Sequence, residues 1–148
     1  MERRQWLLVF LGLPTPGQPE APTLDPVRIM KGMFLLSEQA QLARGQAYEF
    51  IPYLYGPCSF EIYRDLAHLV ASGLVAAEQP WGRAWSLYTP TAQGRQEAER
   101  LMGGIEPRIL AILGDIKQYV TSTSFRRLLR EIYRQYPDYA TQSLLNPQ

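Results

Sequence analysis

Four titratable residues near the middle of the chain fall at helical spacing. Glu61, Arg64, Asp65 and His68 lie three and four positions apart, which places them on one face of a helix. Arg64 and His68 share that face, and an arginine there can hold a guanine edge through two hydrogen bonds. With His68 neutral, the face sums to one positive and two negative charges. That balance opposes phosphate neutralisation, and the plainer reading pairs Arg64 with a neighbouring carboxylate on a solvated surface.

Two further groups offer binding chemistry. Trp81, Gly82 and Arg83 are consecutive. An exposed arginine beside a tryptophan suits minor-groove insertion or stacking on a base. It equally suits a protein partner, because Trp and Arg are enriched at binding hot spots. A third option folds the tryptophan back onto the domain. Arg126, Arg127, Arg130 and Arg134 form a basic stripe with Glu131 the one acid among them. That stripe reads as a solvated helix face, or more sharply as a surface for phosphate or an acidic partner. The aromatics Tyr48, Phe50, Tyr53, Tyr55 and Tyr63 could line a ligand pocket, but aromatics at this density more often pack a small core.

Enzyme chemistry has little to draw on. A nucleophile–base pair would need Cys58 and His68, which lie ten residues apart. If one precedes a helix and the other sits near its end, about 15 Å of helix axis separates them. A single cysteine and a single histidine cannot build a Cys/His metal cluster. Gly103-Gly104 lacks the spacing and lysine of a phosphate-cradling loop. No catalytic residue, metal or cofactor is expected.

Composition frames these groups. The chain has 148 residues, 15 basic and 14 acidic, which excludes binding to nucleic acid by bulk charge but leaves room for a local basic face. Residues 61–100 carry a net −1 and residues 101–148 a net +2. Thirteen of the basic residues are arginines, a bias we ascribe to codon usage before phosphate contacts. No apolar run approaches a membrane span. The run from Trp6 to Leu13 follows two arginines but is short, contains Gly12 and precedes several prolines. It reads as a core helix rather than a leader, and the expected location is cytoplasmic.

Local signals predict the elements that position these residues. Trp6, Leu7, Phe10 and Leu11 predict a helix over 4–12, and the proline-rich 14–23 a loop. Asp25 caps a second helix with Pro26 in its first turn. Residues 48–55 read as a short extended segment, and Gly56-Pro57 as a chain break. Ser59 opens a helix over 59–72, whose stripe Ile62, Leu66, Leu69 and Val70 faces the second helix. Gly73 ends it. Residues 74–77 and 84–88 form a hairpin whose Leu74, Trp85 and Leu87 cover the core edge, with 78–83 as its tip. Thr91 caps a helix to about Met102, and two more amphipathic helices follow, the last ending at Pro137.

The expected fold is mainly α with a small β-hairpin: a winged helix-turn-helix domain over 1–102, a C-terminal helical extension over 103–140 serving dimerisation or core packing, and a frayed tail over 141–148. The stretch EIYRDLAHLVASGLV followed by a hairpin and YTPTAQG resembles PadR- and MarR-type transcription regulators, at Leu66, Leu69, Gly73, Leu74, Val75, Tyr88, Thr91 and Gly94. The segment FIPYLYGPCSFEIYRDL resembles YwgA-like proteins and, more distantly, Panacea-type antitoxin domains, at Tyr55, Gly56, Pro57, Ser59, Glu61, Tyr63, Asp65 and Leu66.

The first resemblance implies a DNA-binding regulator, homodimeric through its C-terminal helices. The helix over 59–72 would enter the major groove, with Ser59, Glu61, Arg64 and His68 at the duplex and Trp81 and Arg83 at the wing. The alternative is a non-catalytic protein-interaction module, an antitoxin-like or adaptor subunit on the same scaffold. Its support is the acidic helix face, the near-neutral charge and the YGPCS segment.

Overall fold

Caps supplied by the sequence start several helices. Asp25 accepts a hydrogen bond from the Arg28 amide at 2.8 Å, with Pro26 just inside the helix, where its missing N–H costs nothing. Thr91 accepts from the Gly94 amide at 3.0 Å and Ser124 from the Arg127 amide at 3.3 Å. The computed structural model describes residues 1–15, 23–43 and 45–143. Among them the helices are Arg3–Gly12 (α1), Pro26–Ala40 (α2), Phe60–Ala71 (α3), Ala92–Met102 (α4), Pro107–Ser122 (α5) and Phe125–Gln135 (α6). Two antiparallel hairpins complete the chain, Ile51–Tyr53 (β1) with Gly56–Cys58 (β2) and Val75–Glu78 (β3) with Leu87–Pro90 (β4). The mainly α fold with a small hairpin is therefore present.

The wing sheet gains a third member from a single residue. Leu24 and Tyr88 exchange both backbone hydrogen bonds at 2.9 Å, and the Thr23 and Thr89 hydroxyls meet beside them at 2.7 Å. The wing strands sit later than their apolar types suggest. Trp85 is exposed and lies outside β4, so it does not cover the core edge. The connection from Glu78 to Leu87 is correspondingly longer than expected.

The segment between α2 and α3 is a hairpin where the sequence reads as one strand and a break. Pro52 pairs with Pro57. The flanking pair Tyr53–Gly56 closes the turn, so the two prolines occupy a pair whose N–H groups point away from the partner strand, and neither removes a ladder bond. Gly56 takes φ +90°, which only glycine adopts without strain.

One hydrophobic core runs through both halves of the chain. Trp6 to Leu11 of α1, Phe34 and Leu36 of α2, Ile62 and Leu66 of α3, Leu113 and Val120 of α5, and Leu128 and Ile132 of α6 all belong to it. It does not break between residues 102 and 103. α5 packs on α2, and α4 on α1. The backbone of α3 comes nearest to α1 and β3, and its Ile62, Leu66 and Leu69 share one core cluster with the buried residues of α2. The apolar stripe of α6 lies inside the chain, with Leu129 and Ile132 both buried, so of the two expected roles this stripe serves core packing.

Past Tyr136 the chain stays tied down. A 3-10 turn, Pro137–Ala140, sets the Tyr136 and Tyr139 rings edge-on against Phe34 at 4.9 and 4.8 Å, and the Tyr133 hydroxyl donates to Ser143 at 2.6 Å. The first residues of the expected frayed tail are thus anchored; its remainder, 144–148, lies outside the described residues.

Two cations, one buried and one half-buried, cap helices from across the core. Lys117 is fully buried and donates to the carbonyls of Phe10, Leu11 and Leu13 at 2.5, 3.0 and 2.8 Å. It satisfies the orphan acceptors at the end of α1 and meets the negative end of that helix dipole. Arg28 does the same for α5, reaching the Val120 carbonyl and the Thr123 carbonyl at 2.7 Å.

Candidate functional site

The helix that would read DNA uses its acids within the chain. Glu61 pairs with Arg3 of α1 at 2.6 Å. Asp65 accepts from the Tyr48 hydroxyl at 2.5 Å, and the Arg3 guanidinium lies 5.4 Å from the Tyr48 ring centre. Burial, followed by that bond to Asp65, pushes the Tyr48 hydroxyl far above its ordinary range. These contacts draw both carboxylates toward the α1 side of α3. Arg64 and His68 remain exposed, and Arg4 of α1 lines the same small cleft as His68, a basic neighbour that the α3 sequence does not reveal.

Ser59 is a correction to the expected site. It holds the N-cap position but makes no cap bond. It is 2% exposed, and its hydroxyl has no partner among the described residues. Its amide points to the Met30 sulfur at 3.5 Å. It cannot touch a duplex.

The exposed side of α3 is mostly apolar. Phe60, Tyr63, Ala67 and Ala71 are exposed, spaced so that they line one flank of the helix. Beside them, Ile51 and Tyr53 project from one face of β1, and Tyr55 from its turn; all three are exposed. The Tyr53 and Phe60 rings meet edge-on at 5.1 Å, and Tyr55 meets Phe125 at the start of α6 at 5.8 Å. The aromatic group expected in the core is thus divided. Tyr48 is buried and Phe50 packs on Phe34 at 5.4 Å, while Tyr53, Tyr55 and Tyr63 are outside with Phe60.

Behind this surface lies a pocket of about 180 Å³ between α2, the β1–β2 hairpin and α3. Lys31 lines it, 2% exposed. Its Nζ donates to the Pro57 carbonyl at 3.4 Å. Burial pulls the ammonium down to about 8, against the opposing pull of Cys58 and Asp25. Burial also pushes the Cys58 thiol up, with Lys31 acting the other way. Nothing in the α3 motif marks Lys31. Its signal lies in α2, where Val27, Lys31 and Phe34 are four and three apart and so share the buried stripe.

At the wing, Trp81 is 100% exposed. Arg83 lies over the Trp85 ring at 5.5 Å, and the turn is closed by the Arg83 amide on the Pro80 carbonyl at 3.0 Å. Trp81 does not fold back onto the domain. On α6, Arg126, Arg127, Arg130 and Arg134 are exposed, and Arg127 pairs with Glu131 at 2.9 Å. Glu131 also accepts from the Tyr119 hydroxyl. The wing, α3 and the arginine stripe are three separate candidate surfaces; of these, α6 borders the β1–β2 hairpin through Phe125.

The motif over 88–94 has a local explanation. The Thr91 hydroxyl, besides capping α4, donates to the Gly73 carbonyl at 2.7 Å. A Cβ at Gly94 would stand 1.8 Å from the Leu74 carbonyl oxygen. Threonine and glycine at this spacing lock the end of α3, the first wing strand and α4 together.

No family model matches the chain, and no curated protein matches it. Among the described residues no helix is long and apolar enough to cross a membrane, and no group of three His, Cys, Asp or Glu is placed to hold a metal.

Proposed function

We propose that the chain is a non-catalytic binding module that docks a protein partner, as an antitoxin-like or adaptor subunit of the cytoplasm. One observation carries this reading: Ile51, Tyr53, Tyr55, Phe60 and Tyr63 are exposed together on α3 and its preceding hairpin. Contiguous apolar surface of this kind marks an interaction site, and aromatic residues dominate interface energetics.

Affinity capture from the source cell tests the reading. A partner should co-purify in fixed stoichiometry and be lost on Phe60→Asp or Tyr63→Asp, while Arg64→Ala and Arg83→Ala retain it. Recovery of the chain alone, or a partner indifferent to both aspartates, overturns it.

A second reading keeps the duplex as the partner. It is favoured by the fully exposed Trp81 beside Arg83, by the exposed Arg64 of α3 and by Arg4 beside His68 at the end of that helix. A DNA-binding homodimer would have to form on a surface other than the buried α6 stripe. Titration of duplexes, genomic fragments included, at low and moderate salt decides it. Loss of affinity on Arg64→Ala and Arg83→Ala supports DNA binding, and binding to no duplex ends it.

A further inference from the structure

The pocket behind the apolar face contains a cation that the fold leaves short of acceptors. Lysine is almost never fully buried unless paired, and an ammonium carries three donors. Lys117 meets that demand with three carbonyls. Lys31 has only the Pro57 carbonyl, at 3.4 Å, and no carboxylate among the described residues lies within ion-pair distance of it. Asp25, the acid that influences it, is turned to Arg28.

The surroundings of Lys31 describe its complement. It is the one charged side chain lining the pocket, whose walls include Tyr53, Tyr55, Phe60 and Tyr63. The volume of about 180 Å³ is close to that of an engineered apolar cavity of about 150 Å³ that takes a benzene ring. Gly56 keeps space at the inner end, where a Cβ would press to 3.4 Å on the Lys31 Cε and 3.2 Å on the Tyr133 ring. The site fits one carboxylate and one large apolar group held close together. An internal Asp or Glu brings the charge without the apolar group. The last residue of a chain brings both from the same Cα.

We propose that this pocket takes the C-terminal carboxylate of the partner chain against Lys31, with the partner's large apolar last side chain seated among Tyr53, Tyr55, Phe60 and Tyr63. This rests on the protein-docking reading above and names what the partner must present. The exposed rim of Ile51, Tyr53 and Tyr55 then receives the residues that precede the terminus.

The test uses the full chain and two pools of random hexapeptides ending in Phe, Leu or Trp, one with free C-terminal acids and one with amides, with phenylacetate as a small-acid control. The acid pool should be retained, with the amide pool weaker by about ten-fold or more, the worth of a charge-assisted hydrogen bond. Lys31→Met should erase that difference, and its folding is not at risk from removing a buried charge in favour of an apolar side chain of similar length. Equal retention of acid and amide pools overturns the inference. So does phenylacetate binding as tightly as the best peptides, which would make a free acid the occupant. A captured partner that is lost on Tyr63→Asp but unaffected by Lys31→Met leaves the docking face standing and ends the carboxylate inference alone.

Discussion

The Lys117 ammonium donates to the Phe10 carbonyl at 2.5 Å, joining residues 107 positions apart in sequence. The bond ties α5 to the last turn of α1 and makes the N-terminal helix dependent on the C-terminal half. Deletion of residues 103–143 would therefore expose the carbonyl end of α1 as well as the apolar faces of α1 and α2. The remaining portion, residues 1–102, is not expected to stand alone.

The Lys117 contribution to stability should rise as pH increases from about 7 toward 10.5. Burial pulls Lys117 down to about 7 from 10.5. Between those values the unfolded chain holds a proton that the folded chain has released, so the unfolded state binds more protons and stability climbs with pH. Lys31 adds the same sign from about 8 upward. Urea midpoints for the wild type and Lys117→Met at pH 6.5, 8 and 9.5 should show the wild type gaining on the variant with each step. A constant difference would mean that the three carbonyls keep Lys117 protonated throughout.

Gly94→Ala should destabilise the fold by about 1–3 kcal/mol or more, the usual cost of overpacking. The new Cβ meets the Leu74 carbonyl oxygen, which is backbone and cannot rotate away. Thermal melting reads the loss directly, and a variant as stable as the wild type would show that α4 shifts freely against the wing.

Leu129→Ala should cost about 2–5 kcal/mol, as truncations of fully buried leucines do. Leu129 is 0% exposed within a single chain, so the difference in midpoint between wild type and variant should not depend on protein concentration. A concentration-dependent midpoint would place a dimer contact in that stability.

Trp81→Ser should leave stability within about 0.5 kcal/mol, as for surface positions without partners. Trp81 touches nothing that it would release, being 100% exposed. Any loss of duplex or partner binding in this variant would then report on the wing alone.

Much of the fold was legible because local rules and global packing agree. The caps at Asp25 and Thr91 and the stripe Ile62, Leu66 and Leu69 each point to the element that forms. The misreadings share a cause: what decides each position is its pairing or packing, which residue type alone does not carry. Pro52 and Pro57 look like strand breakers until they are set opposite each other in a pair that needs no N–H. Ser59 looks like a cap, but its side chain turns inward beside Met30. Trp85 has the type of a strand residue, yet β4 begins two residues later at Leu87.

The candidate site was half legible. Arg64, His68 and Trp81 are exposed as their spacing or turn context implies. The engagement of Glu61 and Asp65 depends on Arg3 and Tyr48, which no pattern within α3 contains. The aromatic density of 48–63 was visible, but not its division into a buried pair and an exposed set. Lys31 and Lys117 were missed because a lysine is read as a surface residue by type. Their positions told otherwise: Lys117 follows Leu113 by four and precedes Val120 by three, squarely on the buried stripe of α5.

Both lysines of the sequence are thus interior, while Arg64, Arg83 and the four arginines of α6 are exposed. In the folded protein Lys117 presents no amine to an acylating reagent, whereas Lys31 lines a pocket. Acylation of Lys117 requires the core to open first, so the rate at which mass is added there is a built-in clock for global unfolding, readable by mass spectrometry without any engineered probe.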